Sequence, residues 1–304
     1  MDRIAAAHAF LRAVDTGSFT EVARELNTTQ PTVSKQVAAL EAHLGVQLLV
    51  RTTRSLALTE EGRRFYEQAR VAIDAFEGAE AAARGERGVR GTLRLGCPVS
   101  FGQVQIVPRL KGFLAQHPDL AVELVMSDAF LDPVEQGVDV VIRIGNLADS
   151  SLTARRIGTA RRATVASPAY VAQHGEPRAP AELAGHDCIL YTRLATGAEW
   201  PFDGPAGPCP VRVAGRVRAD NSAALRGAIL DGLGIGMAPL WLVGEDIRAG
   251  RLVRLLKGFE AATLPIHAVS PPRRFTPPKV TAFVAHLAQE FRVDPFVSDY
   301  GGLA

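Results

Sequence analysis

The stretch SFTEVARELNTTQPTVSKQVAALEA at residues 18–42 spaces its apolar side chains for two helices separated only by a short turn. Ser18 and Glu21 match a capping box, in which the Ser oxygen accepts an orphan helix N–H and the Glu carboxylate reaches back. Pro31 lacks an N–H and is tolerated in a first helical turn, so Thr28 or Thr29 is the expected N-cap of the next helix. The tight joint predicts a helix-turn-helix. The apolar stripe of its second helix comprises Val33, Val37, Leu40 and Leu44.

Sequence on either side of this pair completes a small N-terminal module. Residues 2–15 form a predicted amphipathic helix that ends before Gly17. After the pair, VQLLVRTTRSLALT contains two β-prone segments around a polar turn. This pattern predicts a wing with Arg51 and Arg54 at its tip, positioned for phosphates or a minor groove. No acidic residue lies between Glu41 and Glu60, although charge alone fits a solvated turn equally well. The first helix's apolar face comprises Ile4, Ala7, Leu11 and Val14.

A longer helix is predicted to start after Thr59, which is its expected N-cap. Apolar residues then recur at steps of four and three, a heptad seam that suits a close helix pair. A second copy of the chain is the simplest helix partner for this seam. A two-fold dimer would present two recognition helices to a palindromic site. Packing of the seam on its own domain is the alternative. The proposed dimerisation residues are Phe65, Ala69, Ala72, Phe76 and Ala79.

Length, charge and cysteine content set further limits. At 304 residues the chain is too long for one compact core and predicts two or three domains. The net charge of +2 is too small for a uniformly basic surface. Cys97, Cys188 and Cys209 are widely spaced and the histidines are scattered, so neither disulfides nor a metal site is expected. Asp2 and Arg12 are unlike a signal peptide and no long apolar run follows, so we expect a cytoplasmic protein without membrane contact.

After the glycine-bounded joint GVRG at residues 88–91, strand and helix patterns alternate. TLRLG, LAVELVMSD and VDVVIRIG are predicted strands, and VQIVPRLKGFLAQHP is a predicted helix. Further helices are expected from Asn221 to Gly232 and over residues 278–292. This alternation predicts an α/β layered domain with largely parallel strands.

Ligands of open α/β folds bind beyond the carboxyl ends of strands, here the loops after Gly96, Met126 and Gly145. Ser100 opens the helix after the first strand, so its hydroxyl and the adjacent free amides would suit a carboxylate. As an ordinary N-cap, Ser100 would need no ligand. The neighbouring Phe101 would contact an effector ring or pack in the core.

Arg143 ends the buried run VDVVIRIG and needs an anionic partner. Asp128, Asp149 or a carboxylate ligand would each serve as this partner.

The sequence contains no recognised catalytic motif. DGLGIG at residues 231–236 follows a helix and precedes a strand, which is the reverse of the order around a dinucleotide-binding loop. No GxSxG nucleophile elbow and no GKS or GKT phosphate loop occurs. We therefore expect neither an enzyme nor a cofactor.

The run FTEVARELNTTQPTVSKQVAALEAHLGVQLLVRTTRSLALTEEG resembles the winged helix-turn-helix of the LysR-type bacterial transcriptional regulators, and the likeness extends through the long helix. The resemblance implies that the start of the third helix reads DNA, with Gln30, Pro31, Ser34 and Lys35 at base edges or adjacent phosphates. It also implies phosphate contacts from Ser18, Thr28 and Thr32, with Arg51 and Arg54 as the wing contacts.

The resemblance further implies a multidomain fold with a winged helix-turn-helix domain (1–59), a linker helix for dimerisation (60–88) and a two-lobed α/β effector-binding domain (89–304). Lobe 1 would span about 91–163 and 268–304, and lobe 2 about 164–267, with crossings near 163 and 267. The implied effector wall has two sides: lobe 1 adds Ser127, Arg143 and Gly145 to Ser100 and Phe101, and lobe 2 adds Thr192, Asn221 and Pro239.

The favoured function is a regulator that binds double-stranded operator DNA and responds to a small organic effector, with carboxylates as the favoured class. A homodimer or homotetramer is expected, and RNA polymerase is a further candidate partner. One alternative is a thiol-based redox sensor that uses Cys188 and Cys209. Another is a DNA-binding module fused to a degenerate binding domain that only assembles oligomers.

Overall fold

The computed structural model describes residues 1–51, 56–83, 88–133, 136–147, 152–194, 196–272 and 276–299. The N-terminal domain contains α1 (Arg3–Thr16), α2 (Phe19–Glu25) and α3 (Gln30–Leu44), followed by the antiparallel pair β1 (Leu49–Arg51) and β2 (Leu56–Leu58). The predicted helix-turn-helix and wing are therefore confirmed.

Local sequence explains where these helices begin and end. The Asp2 carboxylate accepts the N–H groups of Ile4 and Ala5, and Gly17 ends α1 with a φ of 67°. Ser18 accepts the Glu21 N–H at 3.4 Å, while the Ser18 N–H itself donates to the Thr16 hydroxyl. The Ser half of the predicted capping box is thus confirmed.

The three helices and the wing share one apolar core that includes Phe10, Val22, Val33 and Val37. Two predicted core positions are wrong: Ile4 and Leu44 lie near helix ends, and both side chains are exposed in the described structure. The buried face of α1 is instead formed mostly by small alanines and Phe10, which lets the neighbouring helices approach closely.

Helix α4 (Glu60–Ala83) begins as predicted, since the Thr59 hydroxyl accepts the Gly62 N–H at 2.8 Å. Its first half packs on the N-terminal domain: the Phe65 ring lies 5.5 Å from that of Phe10, and Ala69 is buried in the same cluster. Their own domain therefore covers Ala69 and part of Phe65, and the role of these two residues in dimerisation stays a prediction. Further along the seam the side chains are exposed, namely Ala72, Phe76 and Ala79.

The C-terminal domain starts with a strand, a helical segment and two further strands. These are β3 (Gly91–Cys97), α5 (Val99–Phe101), a π-helical turn (Gly102–Ile106), α6 (Val107–Gln116), β4 (Leu120–Met126) and β5 (Val140–Ile144). Strand β3 lies between β4 and β5 and is parallel to both. The buried side chains of β3 and β5 pack against Phe113 of α6 and against the C-terminal helix.

The chain then runs through a long strand into the second lobe and returns by another. In order, the elements are β6 (Thr153–Ala166), α7 (Pro168–His174), a 3₁₀ turn (Pro180–Gly185), β7 (Cys188–Tyr191), β8 (Glu199–Trp200), β9 (Phe202–Gly204), β10 (Gly207–Pro208), β11 (Val211–Arg212), β12 (Arg218–Ala219), α8 (Ser222–Leu230), β13 (Ile235–Pro239), α9 (Leu240–Arg248), β14 (Val253–Leu255), β15 (Glu260–Ser270) and α10 (Pro278–Val293).

One sheet joins both halves of this domain. Within the described residues its main path is β12-β7-β13-β6-β15-β5-β3-β4, with β6 and β15 antiparallel at its centre. Residues 163 and 267, where the lobe crossings are predicted, lie inside these two strands; the exact boundaries stay a prediction. The two crossing strands place the carboxyl ends of β3 and β5 opposite the elements of the second lobe.

No helix within the described part of the chain is long and apolar enough to cross a membrane.

Candidate functional site

The start of α3 presents a polar face away from the domain core. Val33, Val37 and Leu40 are buried beneath it, so the helix cannot rotate without exposing them. On the open side the exposed predicted residues are Gln30, Pro31, Thr32 and Lys35, whereas Ser34, Thr28 and Ser18 are partly buried.

Two of the predicted phosphate contacts already have local partners. The Thr32 hydroxyl lies 2.8 Å from that of Thr29, the N-cap residue, and the Ser18 hydroxyl caps α2. Both hydroxyls sit at helix N-termini, where free N–H groups favour anions, so each can share a phosphate with its own helix. These contacts stay predictions.

The wing is tied directly to the end of α3. The Glu41 carboxylate accepts the N–H groups of Leu48 and Leu49 at 2.8 and 3.0 Å. Arg51 belongs to β1, but its side chain and the whole of Arg54 lie outside the described residues. The helix and wing therefore form one surface whose two arginine contacts stay predictions.

A second candidate site is a cavity of about 400 Å³ between the two lobes. Lobe 1 contributes the end of β3, the loop after β4 and the end of β5. The second lobe contributes β7, Trp200, the start of α8 and the end of β13. Its size and mixed polar and apolar lining are typical of small-molecule sites.

Four of the eight predicted effector residues line this cavity: Ser127, Arg143, Gly145 and Pro239. The Ser127 hydroxyl accepts the Ala129 N–H at 3.1 Å, which closes the loop after β4. Gly145 has a φ of 117°, a conformation that disfavours side chains, and its N–H donates to the Pro265 carbonyl.

Ser100 and Asn221 are not among the described lining residues of this cavity, and their contact with an effector stays a prediction. Ser100 is buried inside α5 rather than at its N-cap, and its hydroxyl accepts the Ala223 N–H at 3.0 Å. Asn221 caps α8 as the sequence suggests, but its side-chain amide donates to Asp128 rather than facing the cavity. Both side chains are occupied by contacts that join the lobes at the cavity's edge.

Phe101 and Thr192 also lie away from the cavity lining. Phe101 is fully buried, with its ring 5.1 Å from Trp241 and 6.0 Å from Phe291, so it is a core residue. Thr192 is exposed and its hydroxyl donates to the Ala219 carbonyl at 3.3 Å.

Arg143 does line the cavity, but Asp128, one of its two predicted partners, pairs with other groups. Its guanidinium lies 4.0 Å from the centre of the Phe130 ring and donates to the Leu131 carbonyl at 2.7 Å. Burial lowers the pKa of Arg143, an effect that Asp132 opposes. Asp128 instead accepts the Val99 N–H and the Asn221 amide, and Asp149 lies outside the described residues.

Sequence reasoning missed several lining residues that tertiary structure brings together. Arg162 of β6 is buried, and its Nε donates to the Ala262 carbonyl at 2.8 Å. Tyr191 hydrogen-bonds Ser222, and burial raises its pKa. The available signal was the pair Arg161 and Arg162 in a strand, whose side chains point to opposite faces so that one points inward. The other missed residues include Trp200, Met237 and Trp241.

The cysteines give the redox alternative no specific support. Cys97 and Cys188 are buried, and burial raises the pKa of each thiol to about 12. Because the thiolate is the reactive form, both are poor sensors at neutral pH. All three cysteines are free.

Comparison with known proteins decides the family. Residues 4–63 match the model for the bacterial regulatory helix-turn-helix protein of the lysR family, and residues 86–292 match the LysR substrate binding domain. The chain belongs to the LysR family of transcriptional regulators. The recognised resemblance and the fold class are thereby confirmed.

Full-length relatives and solved structures agree with this assignment. The regulator PtxR of Pseudomonas aeruginosa is 35% identical over 290 residues, covering 95% of this chain and 93% of that protein. The structure of CrgA from Neisseria meningitidis has a TM-score of 0.62 at 31% identity, covering 94% and 97% of the two chains. That of the Vibrio cholerae virulence activator AphB has a TM-score of 0.59 at 30% identity, covering 93% and 98%. These LysR-family relatives are named as regulators, which agrees with the lack of catalytic motifs.

Proposed function

We propose that this LysR-family chain binds operator DNA sequence-specifically through α3 and the wing, and that a small organic carboxylate in the interlobe cavity alters this binding. The observation that carries the proposal is the cavity, because it is lined from both lobes of a domain joined to a winged helix-turn-helix. A ligand in contact with both lobes stabilises the lobe arrangement that fits it better.

The cavity's charge supports an anionic effector. Three guanidinium side chains line it, those of Arg143, Arg162 and Arg193, against the single carboxylate of Asp128 among the described lining residues. Two oxygens of Asp128 already accept protein donors. Because Arg193 is paired with Asp220, the guanidinium groups of Arg143 and Arg162 are the ones that would attract an incoming carboxylate.

The assembly proposed here is a homodimer or homotetramer in the cytoplasm, with RNA polymerase as a further partner. A two-fold pair of α3 helices would read a palindromic operator, as the helix-turn-helix geometry requires. The family's members form oligomers, and exposed Ala72, Phe76 and Ala79 offer a seam for this contact.

Base reading by α3 is tested by substitution. Gln30→Ala and Lys35→Ala should each weaken binding to a selected operator by about 1–3 kcal/mol, with much smaller losses on random DNA. His43→Ala, exposed near the far end of the same helix, is the matched control. Fluorescence anisotropy with an operator enriched from genomic fragments measures this. Equal losses on operator and random DNA would remove the base-reading assignment.

Effector control is tested by DNase footprinting on the same operator with a panel of small organic acids. We expect one acid class to change the footprint or the affinity. A footprint that stays the same with every organic ligand and redox state would instead favour a domain that only assembles oligomers.

A further inference from the structure

Four backbone N–H groups of the segment that joins α3 to the wing converge on one residue, Glu41. Its carbonyl oxygen accepts the Gly45 and Val46 N–H groups at 2.9 and 3.3 Å. Its carboxylate oxygen Oε1 accepts the Leu48 and Leu49 N–H groups at 2.8 and 3.0 Å. Leu49 is the first residue of β1, so Glu41 contacts this segment from its beginning to the first strand of the wing.

The position of this carboxylate is unfavourable for the helix that carries it. Glu41 lies in the last turn of α3, where the helix macrodipole disfavours negative charge. The hydrogen bonds from Leu48 and Leu49 offset this cost, because hydrogen bonds to an ionised group are roughly twice as strong as neutral ones. The carboxylate therefore stabilises the segment after the helix rather than α3 itself.

The other side of the same segment is bound to the start of α4. The Thr59 N–H donates to the Leu48 carbonyl at 3.0 Å, and the Thr59 hydroxyl donates to the Gln47 carbonyl at 2.7 Å. The side chains of Leu48 and Leu49 are buried in the N-terminal core. The core and α4 thus fix the depth of residues 47–49, whereas Glu41 ties these residues directly to α3.

Binding through a helix and a wing requires both to keep one relative position on DNA. The strands β1 and β2 form an antiparallel pair that begins with Leu49 opposite Leu58, so a shift of Leu49 moves the whole pair. Phosphate contacts position a protein on the duplex and supply the sequence-independent part of its affinity. A displaced wing would therefore lower the affinity for every DNA sequence and leave base reading by α3 intact.

We propose that Glu41 is a positioning residue for DNA binding, which holds the wing at the orientation to α3 in which both contact one duplex. This inference rests on the proposed DNA-binding surface and assigns the residue that aligns its two parts. Glu41 acts through the backbone of the wing and not on DNA, because its carboxylate is occupied by two N–H groups and would repel phosphates.

Anisotropy titrations of the full chain with operator and random DNA, over a range of salt concentrations, test this proposal. Glu41→Ala should weaken binding to both DNAs by about tenfold, as expected when hydrogen bonds to a charged group are lost. The slope of log K against log salt should become shallower by about 1, the value for one lost phosphate contact. The ratio of operator to random affinity should stay within about twofold of wild type. Removing a negative charge without moving the wing would instead strengthen binding.

Two conservative variants separate the reach of the side chain from its charge. Glu41→Gln keeps an acceptor oxygen at the same reach and should recover most of the affinity that Glu41→Ala loses. Glu41→Asp keeps the charge but is one methylene shorter, so it should fail to reach both N–H groups and should weaken binding as Glu41→Ala does. If Glu41→Ala fails to fold, Glu41→Asp carries the test.

A double-mutant cycle distinguishes positioning from a general loss of stability. Arg51→Ala should weaken wild-type binding to both DNAs by about three- to tenfold, because it removes the predicted phosphate contact of the wing. In the Glu41→Ala protein the same substitution should have little further effect, since the wing is already displaced.

The proposal is overturned if Glu41→Ala binds DNA as tightly as the wild type, if it weakens binding to the operator alone, or if Arg51→Ala weakens binding equally in both backgrounds. Failure of the proposed DNA contacts gives a different pattern. If Arg51→Ala leaves wild-type binding unchanged, the wing contact and this inference both fail, while Gln30→Ala still reports base reading by α3. If Arg51→Ala weakens the wild type and the cycle is additive, the wing contact stands and the role of Glu41 is removed.

Discussion

At the scale of single residues, Gly62 shows how closely α4 approaches the wing. A Cβ at Gly62 would lie 1.9 Å from the backbone oxygen of Leu48, whereas a Cβ at Gly78 of the same helix would meet nothing within 4 Å. We expect Gly62→Ala to destabilise the N-terminal domain by about 1–3 kcal/mol and to weaken DNA binding by moving the wing. Gly78→Ala should stabilise it by about 0.5–1 kcal/mol. Denaturant unfolding followed by circular dichroism compares the two; similar effects would contradict the close approach.

Thiol reactivity is a second residue-scale test. Since burial raises the pKa of Cys97 and Cys188 to about 12, both should stay protonated and slow to react with a disulfide reagent at pH 8. Their reaction rates should rise only as the pH approaches 12 or when denaturant exposes them. The partly exposed Cys209 is the internal comparison. Rapid modification of Cys188 in the native protein at pH 8 would revive the redox alternative.

At the scale of elements, local sequence predicts helices better than it predicts what their side chains contact. The sequence predicts a helix start at Asn221, and this residue does cap α8. Its remaining amide, however, donates to Asp128, a residue 93 positions away that no local pattern can identify. The Ser100 hydroxyl likewise has a long-range partner, the N–H of Ala223 in the other lobe.

The heptad seam of α4 and the missed Arg162 both show that a local sequence pattern does not determine which side chains are buried. Periodicity aligned Phe65 with Phe76, but only tertiary packing shows that Phe10 covers the first and that the second is exposed. In β6, alternation places Arg161 and Arg162 on opposite faces. Which of the two points inward depends on the register with β13 and β15, and that register is a long-range property.

The exposed end of the seam gives the element-scale prediction. Phe76 is 44% exposed, so Phe76→Glu should fold normally but weaken self-association, because it places a charge in an apolar contact between chains. Gly78→Glu, about 200° around the helix from Phe76, introduces the same charge on the opposite side and should leave association unchanged. Sedimentation equilibrium measures both. Equal effects, or none from Phe76→Glu, would show that this seam is not the contact.

At the scale of the whole molecule, polar contacts connect the DNA-binding domain to the effector domain. Arg70 of α4 donates to the Tyr66 hydroxyl at 2.6 Å and lies 3.7 Å from the Asp15 carboxylate of α1. Its other terminal nitrogen lies 3.7 Å from the Glu123 carboxylate of β4, which also accepts from Arg94 of β3. Strand β3 ends at Cys97 in the cavity lining, so this network links the cavity wall to α1.

A regulator needs such a link to carry a free-energy difference, and Arg70→Met tests whether this one does. The variant should keep its DNA and acid affinities within about 1 kcal/mol, because partly exposed ion pairs contribute little alone. The coupling between the two ligands is the free energy calculated from the ratio of operator Kd values with and without the organic acid that changes the footprint most. This coupling free energy should fall by about 0.5–2 kcal/mol. Arg64→Met is the matched control, since Arg64 pairs with Glu60 within the same helix. If Arg70→Met keeps the wild-type ratio of operator Kd values, the coupling passes through other contacts. Any effect of the acid on DNA affinity requires some contact that differs between the acid-bound and the acid-free protein.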